Sequence, residues 1–359
     1  MRILYGVQGT GQGHISRARA MAQAFRGMNI DVTWLFSGRA RAALNDMEPF
    51  GEFQHRRGLS FCTEAGRIRY RQTLLQNSLT QFVQDVAELD LRAYDFVVTD
   101  FEPVSAWAAR LRGVPSIGIG HQYAFGKGSP ISPGFTMSSM VMRHFAPAQR
   151  ELGLHWYRYG DSVLPPILDL PRRRPMNRDE ILVYLPFESQ AEVTRLLREF
   201  PRQAFVQYAP NLESGRRGNV LLQASNVAGF KNHLYECRGV ICNSGFELIS
   251  ECLQLHKPVL TKPLHRQVEQ ESNALALGLL DYACVVSSLT EQTIAAWLGR
   301  SQQVPQLHYP DVAAALAGWL LDGGTESVSE ISCRLWQQAA LSNWSTNTAT
   351  SQRLVDAAA

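Results

Sequence analysis

Short apolar runs rich in β-branched residues alternate along the chain with segments of helical periodicity. In the first half the apolar runs are residues 3–7, 31–36, 94–99 and 114–120. In the second half they are residues 181–185, 204–208, 220–223, 239–242, 258–261 and 282–286. Helical periodicity is clearest in residues 190–200, 247–254 and 267–277. This alternation is typical of βαβ units and predicts an α/β protein with doubly wound parallel sheets.

Two proline-rich stretches interrupt the pattern near its middle, at residues 164–166 and 171–175. Such a stretch continues neither a helix nor a central strand. We therefore expect a first Rossmann-like domain at residues 1–164, a linker at 165–178 and a second Rossmann-like domain at 179–340. Two α/β domains joined by one linker predict a cleft, with ligands beyond the carboxyl ends of the strands.

The basic residues are concentrated in the first half of the chain. Residues 1–179 carry 22 Lys and Arg against 15 Asp and Glu, whereas the remainder carries 13 against 17. Arg67, Arg69 and Arg71 alternate as on one face of an extended segment, and guanidinium groups suit phosphate or carboxylate. We expect them to contact an anionic acceptor, although an exposed edge without a ligand explains them as well. Aromatic residues are not interleaved with these charges, which disfavours nucleic acid.

No apolar stretch has the length of a membrane-spanning helix, and residues 1–5 lead directly into a predicted strand without the features of a signal peptide. We expect a cytoplasmic protein, with peripheral contact to the inner membrane face compatible with its basic half. Six cysteines are scattered without a C-x-x-C pair, so neither a zinc ribbon nor a redox pair is indicated.

A glycine-rich loop follows the first predicted strand, with the sequence QGTGQGH at residues 8–14. We expect a helix from about Ser16, capped by its hydroxyl, and Gly11 and Gly13 allow a phosphate to approach the backbone. The spacing differs from G-x-G-x-x-G and no acid ends the second strand, which disfavours nicotinamide and flavin cofactors. His14 is a candidate general base, and the alternative is a structural histidine.

Asp100 ends another predicted strand, at the same edge of the sheet as His14. A carboxylate that accepts one imidazole N–H fixes the tautomer of the ring, so an Asp–His pair can deprotonate an acceptor hydroxyl. The alternative for Asp100 is an acid that is favourable at a helix N-terminus.

In the second half, a buried strand turns through Asn243, Ser244 and Gly245 into a helix, which predicts a second anion site. Glu251 lies on one face of this helix, four residues after another acid. A polar cluster at Glu269 and Gln270 opens the next helix. One carboxylate binding a diol and one binding sugar hydroxyls would explain both clusters.

These motifs together resemble those of the GT-B nucleotide-sugar glycosyltransferases, over about residues 1–340. The most similar branches hold the bacterial peptidoglycan-lipid N-acetylglucosaminyltransferase and the UDP-glucuronosyl and plant UDP-glycosyl transferases. The resemblance implies two Rossmann-like domains that face a cleft, with a tail at residues 341–359 that packs back on the first domain.

The resemblance also implies a role for each matching residue. His14 corresponds to the base that activates the acceptor hydroxyl, and Asp100 to the aspartate that orients it. Further correspondences are Asn243, Ser244 and Gly245 with the pyrophosphate turn, Glu251 with the acid for the ribose hydroxyls, and Glu269 and Gln270 with the pair for the transferred sugar. Transfer in these branches inverts the anomeric centre by single displacement. The resemblance also implies that the protein has no cofactor and that transfer does not require a metal ion.

The sequence departs from this family pattern at two places. The pyrophosphate turn lacks the histidine of the plant-like enzymes, so stabilisation of the leaving group falls to backbone amides and to Lys262 or Arg266. The loop 185–188 lacks the usual glycine pair, which leaves UDP, GDP and dTDP donors open, with UDP favoured. Two alternatives remain. One is a sugar-nucleotide 2-epimerase, which the loop 11–14 disfavours, and the other is a non-catalytic sugar-nucleotide or glycan binder.

Overall fold

The computed structural model describes residues 1–60, 63–64, 67–68, 78–133, 144–171, 173–176, 178–210, 212–300 and 304–341. The chain divides into two compact units. Among the described residues, the first unit comprises those within 1–60, 68–169 and 309–341, and the second comprises those within 63–67 and 170–308. The change of unit after Asp169 falls within residues 165–178, the span predicted as a linker.

The strands, in chain order, are β1 (Arg2–Gln8), β2 (Asp31–Ser37), β3 (Gln54–His55), β4 (Thr63–Glu64), β5 (Arg67–Ile68), β6 (Phe96–Asp100), β7 (Ser116–Gly120), β8 (Arg150–Leu154), β9 (Val163–Leu164), β10 (Glu180–Tyr184), β11 (Ala204–Ala209), β12 (Gly215–Arg217), β13 (Val220–Ala224), β14 (Gly239–Asn243), β15 (Val259–Lys262) and β16 (Cys284–Val285). Strands β4 and β5 form a separate two-stranded sheet.

The helices, in chain order, are α1 (Gln12–Ala24), α2 (Leu79–Glu88), α3 (Pro103–Arg112), α4 (Gln190–Arg198), α5 (Val227–Glu236), α6 (Phe246–Gln254), α7 (Val268–Leu280), α8 (Glu291–Leu298), α9 (Val312–Leu321) and α10 (Val328–Leu341). Within the described ranges, none of these helices has the length and apolar character needed to cross a bilayer.

The first unit is built on a seven-stranded sheet with the order β3-β2-β1-β6-β7-β8-β9. Its strands pair in parallel, and the register pairs Val7 of β1 with Asp100 of β6. Residues 3–8 of β1 are all buried, as expected for a strand covered on both faces. The register therefore brings the carboxyl ends of β1 and β6 to the same level of the sheet.

Helices cover both faces of this sheet because alternate residues of each strand point to opposite sides. Leu4 lies in an apolar cluster with Val97 of β6 and Val104 of α3. On the opposite face, the ring of Tyr5 lies 4.7 Å from Trp34 and 6.4 Å from Phe25 at the end of α1. The first sheet is therefore doubly wound.

Helices α9 and α10, near the end of the chain, belong to the first unit. Ser332 Oγ and Trp336 Nε1 of α10 both donate to the carbonyl oxygen of Val163, each at 2.7 Å. These donors satisfy a carbonyl of the edge strand β9. The sequence pattern predicts a second domain that extends to residue 340, whereas the described residues 309–341 belong to the first unit. The predicted packing of residues 342–359 lies outside the described residues.

The second unit contains another seven-stranded sheet, with the order β12-β13-β11-β10-β14-β15-β16. Its strands pair in parallel except for β12, which is antiparallel to β13. The core on one side packs Val183, Phe205 and Ile241 against Trp297 of α8. The predicted α/β class with two doubly wound sheets is confirmed.

Gly6 of β1 packs tightly against the start of α3. A Cβ at this position would lie 2.1 Å from Ser105 Oγ and 2.9 Å from Glu102 Oε2. Both neighbouring side chains are fully buried, so they cannot move into solvent. Only glycine fits between this strand and helix.

We predict that Gly6→Ala lowers the free energy of unfolding by about 1–3 kcal/mol, because the added methyl group overpacks this contact. Urea-induced unfolding measures the change. Gly278→Ala is the matched control, since Gly278 lies in α7 with no atom within 4 Å of an added Cβ, and it should raise stability by up to about 1 kcal/mol. Equal stability of Gly6→Ala and the wild type would show that the contact is not tight.

Candidate functional site

The glycine-rich loop ends in an open helix N-terminus. Gly11 is the N-cap of α1, no side chain caps the helix, and its first turn contains no acidic residue. The helix therefore begins four residues before Ser16, and the prediction that Ser16 caps it is wrong. The hydroxyl of Ser16 instead donates to Asp169 Oδ2 at 3.2 Å. His14 consequently lies in the first turn of α1, next to amide groups without a side-chain acceptor.

His14 and Asp100 are brought together, as predicted, at the carboxyl edge of the first sheet. His14 Nδ1 lies 2.7 Å from Asp100 Oδ1. Asp100 is fully buried, whereas 13% of the His14 side chain is exposed. The pair therefore has a carboxylate held in the protein interior and an imidazole that reaches the surface.

Arg17 joins this pair, and it was not identified from the sequence. It is 1% exposed, and it contacts both carboxylate oxygens of Asp100, with Nη2 at 2.5 Å from Oδ1 and Nε at 2.7 Å from Oδ2. Its Nη2 also lies 2.9 Å from His14 Nδ1. His14 and Arg17 are three residues apart on α1, so they share one helix face.

The ionic state of Asp100 follows from these contacts. Burial opposes ionisation of Asp100, but the guanidinium of Arg17 and the ring of His14 outweigh it, so the pKa of Asp100 lies below its ordinary value. The carboxylate is therefore charged at neutral pH and can accept hydrogen bonds from both partners.

The contacts of Nδ1 favour one tautomer of His14. A bare Nδ1 could accept from Arg17 Nη2 at 2.9 Å, but its lone pair would then face a carboxylate oxygen at 2.7 Å. A proton on Nδ1 instead donates to that charged oxygen, and Arg17 Nη2 already has Asp100 Oδ1 as its acceptor. The second ring nitrogen, Nε2, then carries a lone pair. Within the described part of the chain, Nε2 has no hydrogen-bond partner. His14 is thus arranged to accept a proton at Nε2.

The chain turns sharply directly after Asp100. Phe101 has a φ of 51°, a value that is rare for a bulky side chain, and its ring stacks on Phe145 at a centroid distance of 5.0 Å. Glu102 then caps α3 by accepting from the amides of Val104 at 2.8 Å and Ser105 at 2.6 Å. Burial raises the pKa of Glu102 despite these hydrogen bonds. Its carboxyl group therefore caps a helix, whereas that of Asp100 contacts His14 and Arg17.

In the second unit, the predicted turn precedes α6. Gly245 is the N-cap of α6, no side chain caps the helix, and an added Cβ at Gly245 would meet no atom within 4 Å. Ser244 is fully buried, and its hydroxyl pairs with Thr261 Oγ1 at 3.0 Å. Asn273 Nδ2 donates to the carbonyl of Ser244 at 3.0 Å. Neighbouring elements therefore support the turn, while the space beside the Cα of Gly245 is open.

Charged and polar side chains meet at the carboxyl ends of β14 and β15. Lys262 Nζ lies 2.5 Å from Oε1 of Glu188, a residue of the loop after β10. Asn243 Nδ2 donates to the Lys262 carbonyl at 3.3 Å, and the Asn243 Oδ1 atom is buried without a hydrogen-bond partner. Glu188 was not identified as a candidate site residue from the sequence.

The other candidate residues of the second unit are held by further contacts. Glu251 is 4% exposed and forms an ion pair with Lys231 of α5. Gln270 is nearly buried, and its side-chain oxygen accepts from the Leu264 amide at 3.0 Å. Glu269 lies half-buried in the first turn of α7.

The predicted acceptor contacts of Arg67, Arg69 and Arg71 cannot be compared with side-chain positions. The backbone of Arg67 forms part of β5, and Arg69 and Arg71 lie outside the described residues. Their contact with an acceptor stays a prediction. Among the residues that the structure describes, no cluster of three or more His, Cys, Asp or Glu side chains could hold a metal ion.

Comparisons with known proteins add to this geometry. The family model for glycosyl transferase family 1 matches residues 1–301. The glycosyltransferase SnogD from Streptomyces nogalater is 18% identical, with 94% of this chain and 99% of that chain covered and a TM-score of 0.52. The glycosyltransferase SsfS6 from Streptomyces sp. SF2575, solved with thymidine diphosphate, is 15% identical, with 94% and 100% covered and a TM-score of 0.54. Arabidopsis thaliana UGT89C1, solved with UDP, is 11% identical, with 100% of both chains covered and a TM-score of 0.52. A comparison with curated proteins found no match.

We predict that Asp100→Asn lowers the free energy of unfolding at pH 7 by about 3–5 kcal/mol, because it removes the carboxylate that compensates the buried guanidinium of Arg17. The lowered pKa means that Asp100 contributes stability above the pKa of the unfolded chain and loses it as pH falls through the folded value. The difference from the wild type should therefore shrink below about pH 4. Urea unfolding across this pH range measures it, and an equal difference at pH 7 and at low pH would contradict the ionic arrangement.

Proposed function

The chain belongs to glycosyl transferase family 1 and is a glycosyltransferase, and we propose that it moves a sugar from a nucleoside-diphosphate sugar, preferably a UDP-sugar, to an acceptor hydroxyl with inversion of the anomeric carbon. Family membership agrees with the GT-B resemblance of the motifs. The particular branches named from the motifs stay a prediction.

The observation that carries the proposal is the His14–Asp100 pair, with Nδ1 bound at 2.7 Å and Nε2 available. In the proposed step the acceptor O–H bond breaks and its proton passes to Nε2 of His14. The acceptor oxygen forms a bond to the anomeric carbon as the bond from that carbon to the diphosphate oxygen breaks. Asp100 stabilises the resulting imidazolium. Attack opposite the leaving group inverts the configuration without a covalent enzyme intermediate.

The leaving diphosphate requires positive charge, which we assign to the second unit. Helix α6 begins beside Gly245 without a side-chain cap, and a helix N-terminus favours anions. Lys262 lies at the end of β15, next to Asn243 at the end of β14. Amides and an ammonium group that bind more tightly as charge develops accelerate departure of the diphosphate. We therefore propose that transfer needs no bound metal ion.

Glu251 is the proposed contact for the ribose, and Glu269 and Gln270 are the proposed contacts for the sugar. Glu251 forms an ion pair with Lys231, and its carboxylate can accept hydrogen bonds from hydroxyl groups. A ribose offers two neighbouring hydroxyls and a deoxyribose only one, which supports UDP over dTDP. Support for a nucleoside diphosphate in general comes from SsfS6, solved with thymidine diphosphate, and UGT89C1, solved with UDP.

We assign the acceptor to the first unit and propose an anionic or lipid-linked glycan. The excess of basic over acidic residues in 1–179 supports this choice. Arg39 Nη2 donates to the Thr10 carbonyl at 3.0 Å, which places a guanidinium beside the glycine-rich loop. Cytoplasmic localisation with peripheral contact to a membrane fits a lipid-linked acceptor. A 2-epimerase would need no acceptor, and membership of a transferase family does not favour it.

We predict that one nucleoside diphosphate in a panel of UDP, GDP, dTDP, ADP and CMP raises the thermal unfolding midpoint, because a ligand that binds only the folded state stabilises it.

Glu251→Gln should weaken binding of UDP about tenfold through loss of charge-assisted hydrogen bonds to the ribose. With the donor identified, its slow hydrolysis in the absence of acceptor should release sugar of inverted anomeric configuration, measured by proton NMR.

The control for the Glu251→Gln variant is Glu236→Gln. Glu236 lies in the same unit and also forms ion pairs, with Arg173 and Arg178. Its replacement should leave nucleotide affinity unchanged. A panel without any thermal shift from a folded protein would overturn the donor assignment, and retention of configuration would overturn the single displacement.

A further inference from the structure

The proposed base lies in a cluster whose charges are nearly balanced before any proton moves. Arg17 binds both oxygens of Asp100, and His14 binds one of them. Arg17 and Asp100 are 1% and 0% exposed, so water compensates neither charge. A guanidinium carries its charge throughout the physiological pH range. The carboxylate is therefore compensated whether or not His14 is protonated.

The same pair without Arg17 would behave differently. A buried carboxylate without a cation is strongly destabilised, and the imidazole at 2.7 Å is the nearest group that could become one. Protonation of His14 would then form a buried ion pair with Asp100. An imidazolium has no lone pair, so it could not accept the proton of an acceptor hydroxyl.

The other titratable groups around this cluster do not supply a cation. From β1, Tyr5 interacts with both Asp100 and Arg17, and burial raises its pKa. From the turn after β7, Tyr123 interacts with Asp100, and burial likewise raises its pKa. Both phenols are neutral at physiological pH. Among the groups that the structure describes here, the permanent positive charge belongs to Arg17.

We propose that Arg17 is a positioning residue that keeps His14 neutral, and so able to act as a base, by compensating the charge of Asp100. This inference rests on the proposed function, in which His14 accepts the proton. Arg17 itself acts through Asp100 and has no assigned contact with substrate. The bidentate contact also orients the carboxylate, so that Oδ1 faces the Nδ1 proton of His14.

The test compares Arg17→Met, which removes the charge, with Arg17→Lys, which keeps it without the bidentate geometry. Nitrogen-15 NMR of histidine-labelled protein separates a neutral imidazole from an imidazolium, and His14→Gln identifies the resonance of His14. We expect neutral His14 at pH 7 in the wild type and in Arg17→Lys, and imidazolium in Arg17→Met. Arg17→Gln, which keeps a hydrogen-bond donor, replaces Arg17→Met if the latter does not fold.

The pH profile of donor turnover gives a second readout. For Arg17→Met, turnover at pH 7 should fall at least about tenfold and recover towards high pH, because the rate follows the neutral fraction of the base. Arg17→Lys should restore the wild-type profile. Arg19→Met is the matched control, since Arg19 lies on the same helix, has 10% of its side chain exposed and pairs with Asp169 instead of Asp100. It should leave the profile unchanged.

A neutral His14 in Arg17→Met at pH 7, with an unmoved pH profile, would overturn the inference. An equal loss of activity in Arg17→Met and Arg17→Lys at every pH would also overturn it, since that result indicates a role in folding alone. The NMR readout needs no substrate. It therefore tests the charge relation separately from the proposed transfer reaction.

Discussion

A carboxylate that is buried at the end of a parallel strand must be compensated by charge and hydrogen bonds, and the carboxyl edge of the first sheet is organised around one. Asp100 has no exposed surface, and its two oxygens accept three close contacts from α1. Those contacts come from the first two turns of α1, which begins at Gln12. Both His14 and Arg17 are then within reach of the strand end. The sharp turn at Phe101 lets the chain leave β6 at once, so the next acid, Glu102, caps α3 and does not compete for the same partners.

The second unit also compensates its charged side chains by ion pairs. Lys262 at the end of β15 pairs with Glu188, and Lys231 of α5 pairs with Glu251 of α6. Strand β14 leads into α6, and its last residue, Asn243, is paired with Lys262 of β15. A diphosphate that binds at Gly245 would compete with Glu188 for the ammonium of Lys262. In the proposed reaction, the ion pair with Glu188 compensates Lys262 before the diphosphate binds, and the exchange then provides a cation for the leaving group.

Sequence reasoning identified features that depend on strand order and strand ends. Parallel strands place their carboxyl ends at one edge, so His14 and Asp100 could be paired from the sequence alone. Arg17 was missed because the helix was expected from Ser16. Glycine at the N-cap gives a weak signal, and a start at Gln12 would have placed His14 and Arg17 on one face. The assignment of residues 309–341 to the first unit depends on long-range contacts such as Trp336 with Val163, which periodicity does not reveal.

The central claim is that His14 acts in chemistry and not in donor binding. The most direct measurement is the turnover of a nucleotide sugar by His14→Ala, with nucleotide affinity determined on the same preparation. We predict that turnover falls about 10²–10⁴-fold while affinity for the nucleoside diphosphate stays within about twofold. Unchanged turnover, or a loss of nucleotide affinity as large as the loss of turnover, would contradict the claim.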